Sequence, residues 1–259
     1  MRMMKKVLGT VTVLALSASL LAGCGSTAAS PVSSAASTAA ESTTSSVVSE
    51  TTSAAADENV AAAAQLLNDL TGSYQELWPV ILADEYQQTW LDDCTALVGE
   101  ENAEAAFEKL SSMVTGDVYG EDAVEAYANG GGAYFCGFTN SLATLTFDGE
   151  TSTISGTDKD GNVLFSHTYH YIGMEPVHGL YEFESDDADS GEFTYFFLAP
   201  DTSAETYHIE FRYGSDADAL SQYDAGDYAY WLASGISTDC DQTMIDNCIK
   251  LFCTENLAG

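Results

Sequence analysis

The sequence predicts an α+β domain in which helices come first, an antiparallel β-barrel follows and a single helix ends the chain. Three observations predict it. Apolar residues recur at helical spacing through residues 59–113. After Gly130-Gly131-Gly132 the chain changes to short β-rich runs punctuated by turn residues as far as Tyr213. A last amphipathic stretch runs from about Gln242 to Phe252.

The elements follow in order. Asn59 to Leu70 is the first helix, broken by Thr71-Gly72. Leu77 to Leu97 carries Trp78, Ile81, Leu82, Tyr86, Trp90 and Leu91 and breaks near Gly99. Glu100 to Met113 is the third, with Ala103, Ala106, Phe107 and Leu110, and Gly116 closes it. Candidate strands are Ala133 to Phe138, Leu142 to Phe147, Thr151 to Ser155, Val163 to Ile172, Tyr181 to Glu184, Phe193 to Leu198 and Thr206 to Tyr213. Asp158-Lys159-Asp160-Gly161 is a hairpin turn between two of them. Regular spacing of this kind predicts a sheet closed into a barrel, which leaves no exposed edge. Ser237 or Asp239 is placed to cap the last helix.

This domain occupies residues 57–259. Ahead of it, residues 1–23 read as a lipoprotein signal peptide. Arg2, Lys5 and Lys6 form a positive start, Val7 to Leu21 is apolar, and Leu21-Ala22-Gly23-Cys24 fits a lipobox, with cleavage before Cys24 and a lipid on its thiol. Residues 24–56 are rich in Ser, Thr and Ala, as in Ser33-Ser34-Ala35-Ala36-Ser37-Thr38, and hold almost no large apolar residue. Such a segment cannot offset the entropy of ordering its backbone, so it reads as a disordered tether. The expected location is the extracytoplasmic face of the cell membrane, with the chain lipid-anchored there.

After the signal peptide only Lys109, Lys159, Arg212 and Lys250 stand against forty acids, a formal charge of −36. Such a surface repels phosphate backbones and excludes nucleic acid as a partner. It attracts cations, and it also suffices to keep an exported protein soluble. Beyond Cys24 the cysteines are Cys94, Cys136, Cys240, Cys248 and Cys253. An odd number without any C-x-x-C reads as mainly buried small apolar side chains, with room for one disulfide.

The chain holds four histidines: His167, His170, His178 and His208. In His208-Ile209-Glu210 the imidazole and the carboxylate share one face of a strand, two residues apart. Both are zinc ligand types, and a site needs three or four. His167 and His170 point to opposite faces of a regular strand. His178 follows Glu175-Pro176 in a loop, and either it or His170 can supply a missing ligand. Asp186-Asp187-Ala188-Asp189 lacks the glycine and distal glutamate of a calcium loop and reads as a solvated turn. The sequence contains no G-x-S-x-G, P-loop or H-E-x-x-H, so a non-catalytic protein is expected.

The order of motifs resembles a known family. His208-Ile209-Glu210-Phe211-Arg212-Tyr213-Gly214-Ser215-Asp216 is similar to the H-x-H-x-x-x-G-[NS]-D stretch of the ZinT family, a zinc-binding, lipocalin-like module also found at the C-terminus of AdcA-type zinc lipoproteins. Phe197-Leu198-Ala199-Pro200 resembles the family's I-I-A-P run. Gly72-Ser73-Tyr74-Gln75-Glu76-Leu77-Trp78-Pro79-Val80-Ile81 resembles its opening, and Asp227-Tyr228-Ala229-Tyr230-Trp231 its ending before a final helix. The likeness spans about residues 66 to 252. It implies a lipocalin/calycin-like barrel that binds zinc or another divalent cation for uptake or buffering, with a metal ABC transporter as partner. His208 and Glu210 then ligate the metal, completed by His170 or His178 and water. Glu210 replaces a histidine of the family's H-x-H, and Phe196 occupies the place of its third histidine. If those departures abolish the metal, the alternative is a lipocalin-like lipoprotein that takes a small organic ligand through Tyr and Trp at the barrel mouth.

The lipobox reading carries its own test. Cys24→Ala removes the thiol that takes the lipid, so the variant should leave the membrane fraction. A variant that stays there as the wild type does contradicts the reading.

Overall fold

A computed structural model describes residues 58–200, 206 and 208–258. The expected signal peptide, Cys24 and the tether lie outside these residues. The first helix, α1, spans 58–69. Strand β1 (Gly72–Glu76) follows, then α2 (Leu77–Ile81), α3 (Gln87–Val98), α4 (Ala103–Val114) and α5 (Glu121–Ala128). Six strands come next: β2 (Thr144–Asp148), β3 (Thr153–Thr157), β4 (Val163–Met174), β5 (Tyr181–Ser185), β6 (Tyr195–Leu198) and β7 (His208–Gly214). Short helix α6 (Ala217–Leu220), strand β8 (Ala233–Ser237) and helix α7 (Gln242–Leu257) complete the order. Each strand pairs antiparallel with the next, and β8 returns to β1 through Tyr74↔Ser237, Gln75↔Ile236 and Glu76↔Gly235. The result is a closed eight-stranded up-and-down barrel, the lipocalin-like architecture expected.

The structure corrects several elements. Ala133 to Phe138 is not a strand. Phe135 alone makes isolated bridges, antiparallel to Thr115 and parallel to Trp231, because this segment crosses one end of the barrel instead of joining its wall. The long helix expected over Leu77 to Leu97 is cut at Ala83, whose backbone is extended (ψ 146°). Asp241, not Ser237 or Asp239, caps α7: its Oδ1 accepts from the Met244 N–H at 3.0 Å. Ser237 is instead the last residue of β8. Strands β1 and β8 and helices α5 and α6 were not expected. The turn at Asp158 is as expected: its Oδ1 accepts from the N–H groups of Asp160 and Asn162, and Gly161 sits at φ +81°.

Two cores divide the apolar residues. The first fills the barrel. Alternating residues of all eight strands point inward, among them Tyr74, Phe147, Phe165, Phe183, Phe196 and Phe211. At Gly156 even a methyl group would meet Leu142 Cδ1 and Phe165 Cε1 at 2.4 Å, so the lumen is packed to contact. Helix α1 plugs one end with Ala63, Leu66 and Leu67, joined by Leu70 just after it. Residues 135–142 plug the other. The Tyr213 hydroxyl accepts from the Thr139 N–H at 2.6 Å and donates to its carbonyl at 3.0 Å, while Trp231 Nε1 donates to the Gly137 carbonyl at 2.9 Å.

The second core lies outside the barrel. Leu77, Trp78, Ile81, Trp90, Leu110 and Ile249 pack α2, α3, α4 and α7 together and over Ile236 on the outer face of β8. All five described cysteines are free thiols and four are buried. Cys94 on α3 and Cys253 on α7 bring their sulfurs to 3.9 Å without bonding. No helix among the described residues is long and apolar enough to cross a membrane.

Both cores draw on residues 63–253. A protein beginning at residue 58 should therefore unfold in one cooperative urea transition. Trp231→Ala, which empties a fully buried site against Tyr213, should cost about 3–5 kcal/mol in that transition. The absence of cooperativity, or a Trp231→Ala cost under about 1 kcal/mol, contradicts this packing.

Candidate metal centre and the cavity beside it

Strand β7 is buried on both faces. Ile209, Phe211 and Tyr213 enter the lumen core, so His208, Glu210 and Arg212 face outward. The register places His208 beside Ile236 and Glu210 beside Ser234 on β8. Helix α7 covers this strip. Cys248, Phe252 and Glu255 are four and then three residues apart, hence on one face of the helix, and they meet the strip together with Leu77, Trp78 and Ile81 of α2.

His208, Glu210, Glu255 and Cys248 thus line one recess of about 30 Å³, room for an ion or a water molecule. His208 is 8% exposed and its Nδ1 lies 2.8 Å from Thr206 Oγ1. With Nδ1 as donor in that bond, Nε2 carries the lone pair, the usual arrangement of a metal-binding imidazole. Burial pushes the Cys248 thiol up to about 12, and the nearby Glu210 carboxylate pushes it the same way. In the absence of a metal ion Cys248 therefore stays protonated at neutral pH. Among the described residues no three His, Cys, Asp or Glu side chains converge closely enough to hold a metal ion. The donor types fit zinc; the side chains are not gathered around it.

The two histidines expected to complete the shell are elsewhere. His170 projects into solvent from β4, which β5 and β6 separate from β7. Its Nδ1 is 2.8 Å from Asp186 and its Nε2 3.9 Å from Glu184. His167 faces the other side of β4, as the strand period requires, with Nδ1 2.7 Å from Asp187. The Asp186-Asp187 turn is therefore occupied in holding two histidines. His178 lies in the β4–β5 loop with its ring 3.7 Å from that of Tyr223. Its Nδ1 lies 3.5 Å from Glu175 but makes no hydrogen bond. Phe196, at the place of the family's third histidine, is wholly buried in the lumen.

Sequence reasoning passed over Arg212. It is fully buried, donates to the carbonyls of Leu220, Gln222 and Tyr228, and lies over the Tyr223 ring at 4.3 Å. It binds the β7–β8 connection onto the outer face of β7. Its signal was a lone arginine between two aromatic residues in a strand.

Glu210 also borders a second, larger space. A cavity of about 220 Å³ lies between β7, β8, α2, α4, α5 and α7, walled by Trp78, Tyr127, Tyr134, Leu232 and Phe252. Glu210 is the one charged residue in its lining. This cavity offers room to a small molecule, as do two more open hollows of about 350 and 250 Å³ beside α2. The barrel mouth, favoured for one by the sequence, is filled by Phe138, Leu142 and Trp231.

No family model and no curated protein matches the chain. Among solved structures, it is similar to the Zn(II)-bound ZinT-like domain of Streptococcus pneumoniae AdcA, with a TM-score of 0.45 and 15% identity over 71% of this chain and 89% of that one. It is likewise similar to Zn(II)-bound AdcA from the same organism, with a TM-score of 0.43 and 14% identity over 72% of this chain and 35% of that longer protein.

Proposed function

We propose that this chain is a non-catalytic, lipid-anchored binding protein that captures a divalent cation, zinc foremost, at the recess under α7. The observation that carries the reading is that one imidazole and two carboxylates, those of His208, Glu210 and Glu255, line a single ion-sized recess. Nitrogen and oxygen donors of this kind suit zinc, and three protein ligands leave a position for water or for transfer to another protein. The strongly acidic surface raises the local concentration of cations around the site. Because the three side chains do not converge, binding includes their rearrangement onto the ion, which lowers affinity relative to a preformed site. A protein held at the membrane surface through Cys24 with exchangeable zinc would buffer the ion or pass it to an uptake transporter.

Zinc titration of the full-length protein after chelation tests this. One equivalent should bind, and His208→Ala, Glu210→Ala and Glu255→Ala should each weaken it by at least about tenfold. Lowering the pH from about 7.5 to about 5.5 should weaken binding too, because only a neutral imidazole donates its lone pair. Equal binding by all four proteins places zinc on the diffuse acidic surface, and no binding by any of them removes the metal reading.

A further inference from the structure

The larger cavity has a chemistry of its own. Four aromatic side chains bound it: Trp78 and Phe252 meet edge to face at 4.7 Å, and Tyr134 stands edge-on to Tyr127 at 6.3 Å. The Tyr127 ring is in turn stacked on Tyr230 at 3.7 Å, which fixes that wall. Met113, Val114 and Leu232 add apolar surface, Ser234 and Asn256 are the uncharged polar side chains, and Glu210 is the only charge in the lining. We infer that this cavity binds a small organic ammonium ion with an apolar body.

Charge complementarity selects that occupant. An anion would meet the Glu210 carboxylate in a low-dielectric space. A neutral apolar molecule would bring no opposite charge to the carboxylate. A bare metal ion gains little from aromatic and aliphatic walls, since it needs several oxygen or nitrogen donors. An alkylammonium group matches both features: its charge faces Glu210, and its carbon-bound hydrogens meet aromatic rings whose electron-rich faces attract cations. The field of Glu210 is felt within the walls, where it joins burial in pushing the Cys136 thiol up. The inference goes beyond the metal reading and does not depend on it, although the two ligands would share one carboxylate.

The test uses benzyltrimethylammonium, benzyl alcohol and phenylacetate as cationic, neutral and anionic probes, titrated calorimetrically into the full-length protein. EDTA is present throughout, so the outcome is independent of whether zinc binds. The cation should bind one to one, at least about tenfold more tightly than either other probe. Its binding should survive about 0.5 M salt, which screens a surface atmosphere more than a partly covered site. Glu210→Gln should remove the preference for the cation. If that variant does not fold, Tyr134→Leu, which keeps the carboxylate, should weaken the cation at least about tenfold. Equal binding of the three probes, loss of binding in salt, an unchanged Glu210→Gln or Tyr134→Leu variant, or no binding of the cation overturns the inference.

Discussion

The pairing of β1 with β8 is the constraint on which the rest of the structure depends. β1 precedes α2 to α5 in sequence, yet three of its residues pair with β8, more than 150 positions later. That pairing closes the barrel and removes its edges. It also forces the intervening helices to the outside, where α2 follows directly from the end of β1 and α7 follows β8. The two helices that begin at the seam are the ones that line the recess over His208 and Glu210. Without the closure, the outer face of β7 would have no cover and no recess.

Closure also decides on which side of the barrel space is left. Inside, aromatic rings pack against one another from Phe193 through Phe165 and Phe196 to Tyr213 and Trp231, and α1 and residues 135–142 seal the ends. This interior stabilises the domain by burying apolar surface and leaves little to exchange with solvent. Outside, the helical layer meets a curved wall and fits it less completely. The space left over is where a carboxylate, an imidazole and aromatic side chains are found together. Arg212 sustains this arrangement from beneath, since its three backbone acceptors hold the β7–β8 connection in place.

The sequence made β2 to β7 legible because those strands lie between clear turn signals and, for the most part, alternate buried with exposed residues. β1 and β8 escaped for opposite reasons. Gly72 to Glu76 buries only Tyr74, and Ala233 to Ser237 is buried at every position, so neither alternates. Ala133 to Phe138 was over-read because β-forming composition reports a packed, extended segment whether or not it joins a ladder. At the site, the shared face of His208 and Glu210 follows from their two-residue spacing. Whether that face turns inward or outward does not, because β7 is buried on both sides. The contribution of Glu255, 45 residues further on, and the absence of His170 and His178 depend on the tertiary arrangement and have no local signature.

Anomalous diffraction at the zinc absorption edge, on crystals of the full-length protein loaded with one equivalent of zinc, tests the central claim most directly. The account predicts one dominant peak outside the barrel wall, about 2.0–2.2 Å from His208 Nε2 and from carboxylate oxygens of Glu210 and Glu255. A dominant peak in the lumen, or at the His170, Glu184 and Asp186 cluster, or the absence of any ordered peak, would contradict it.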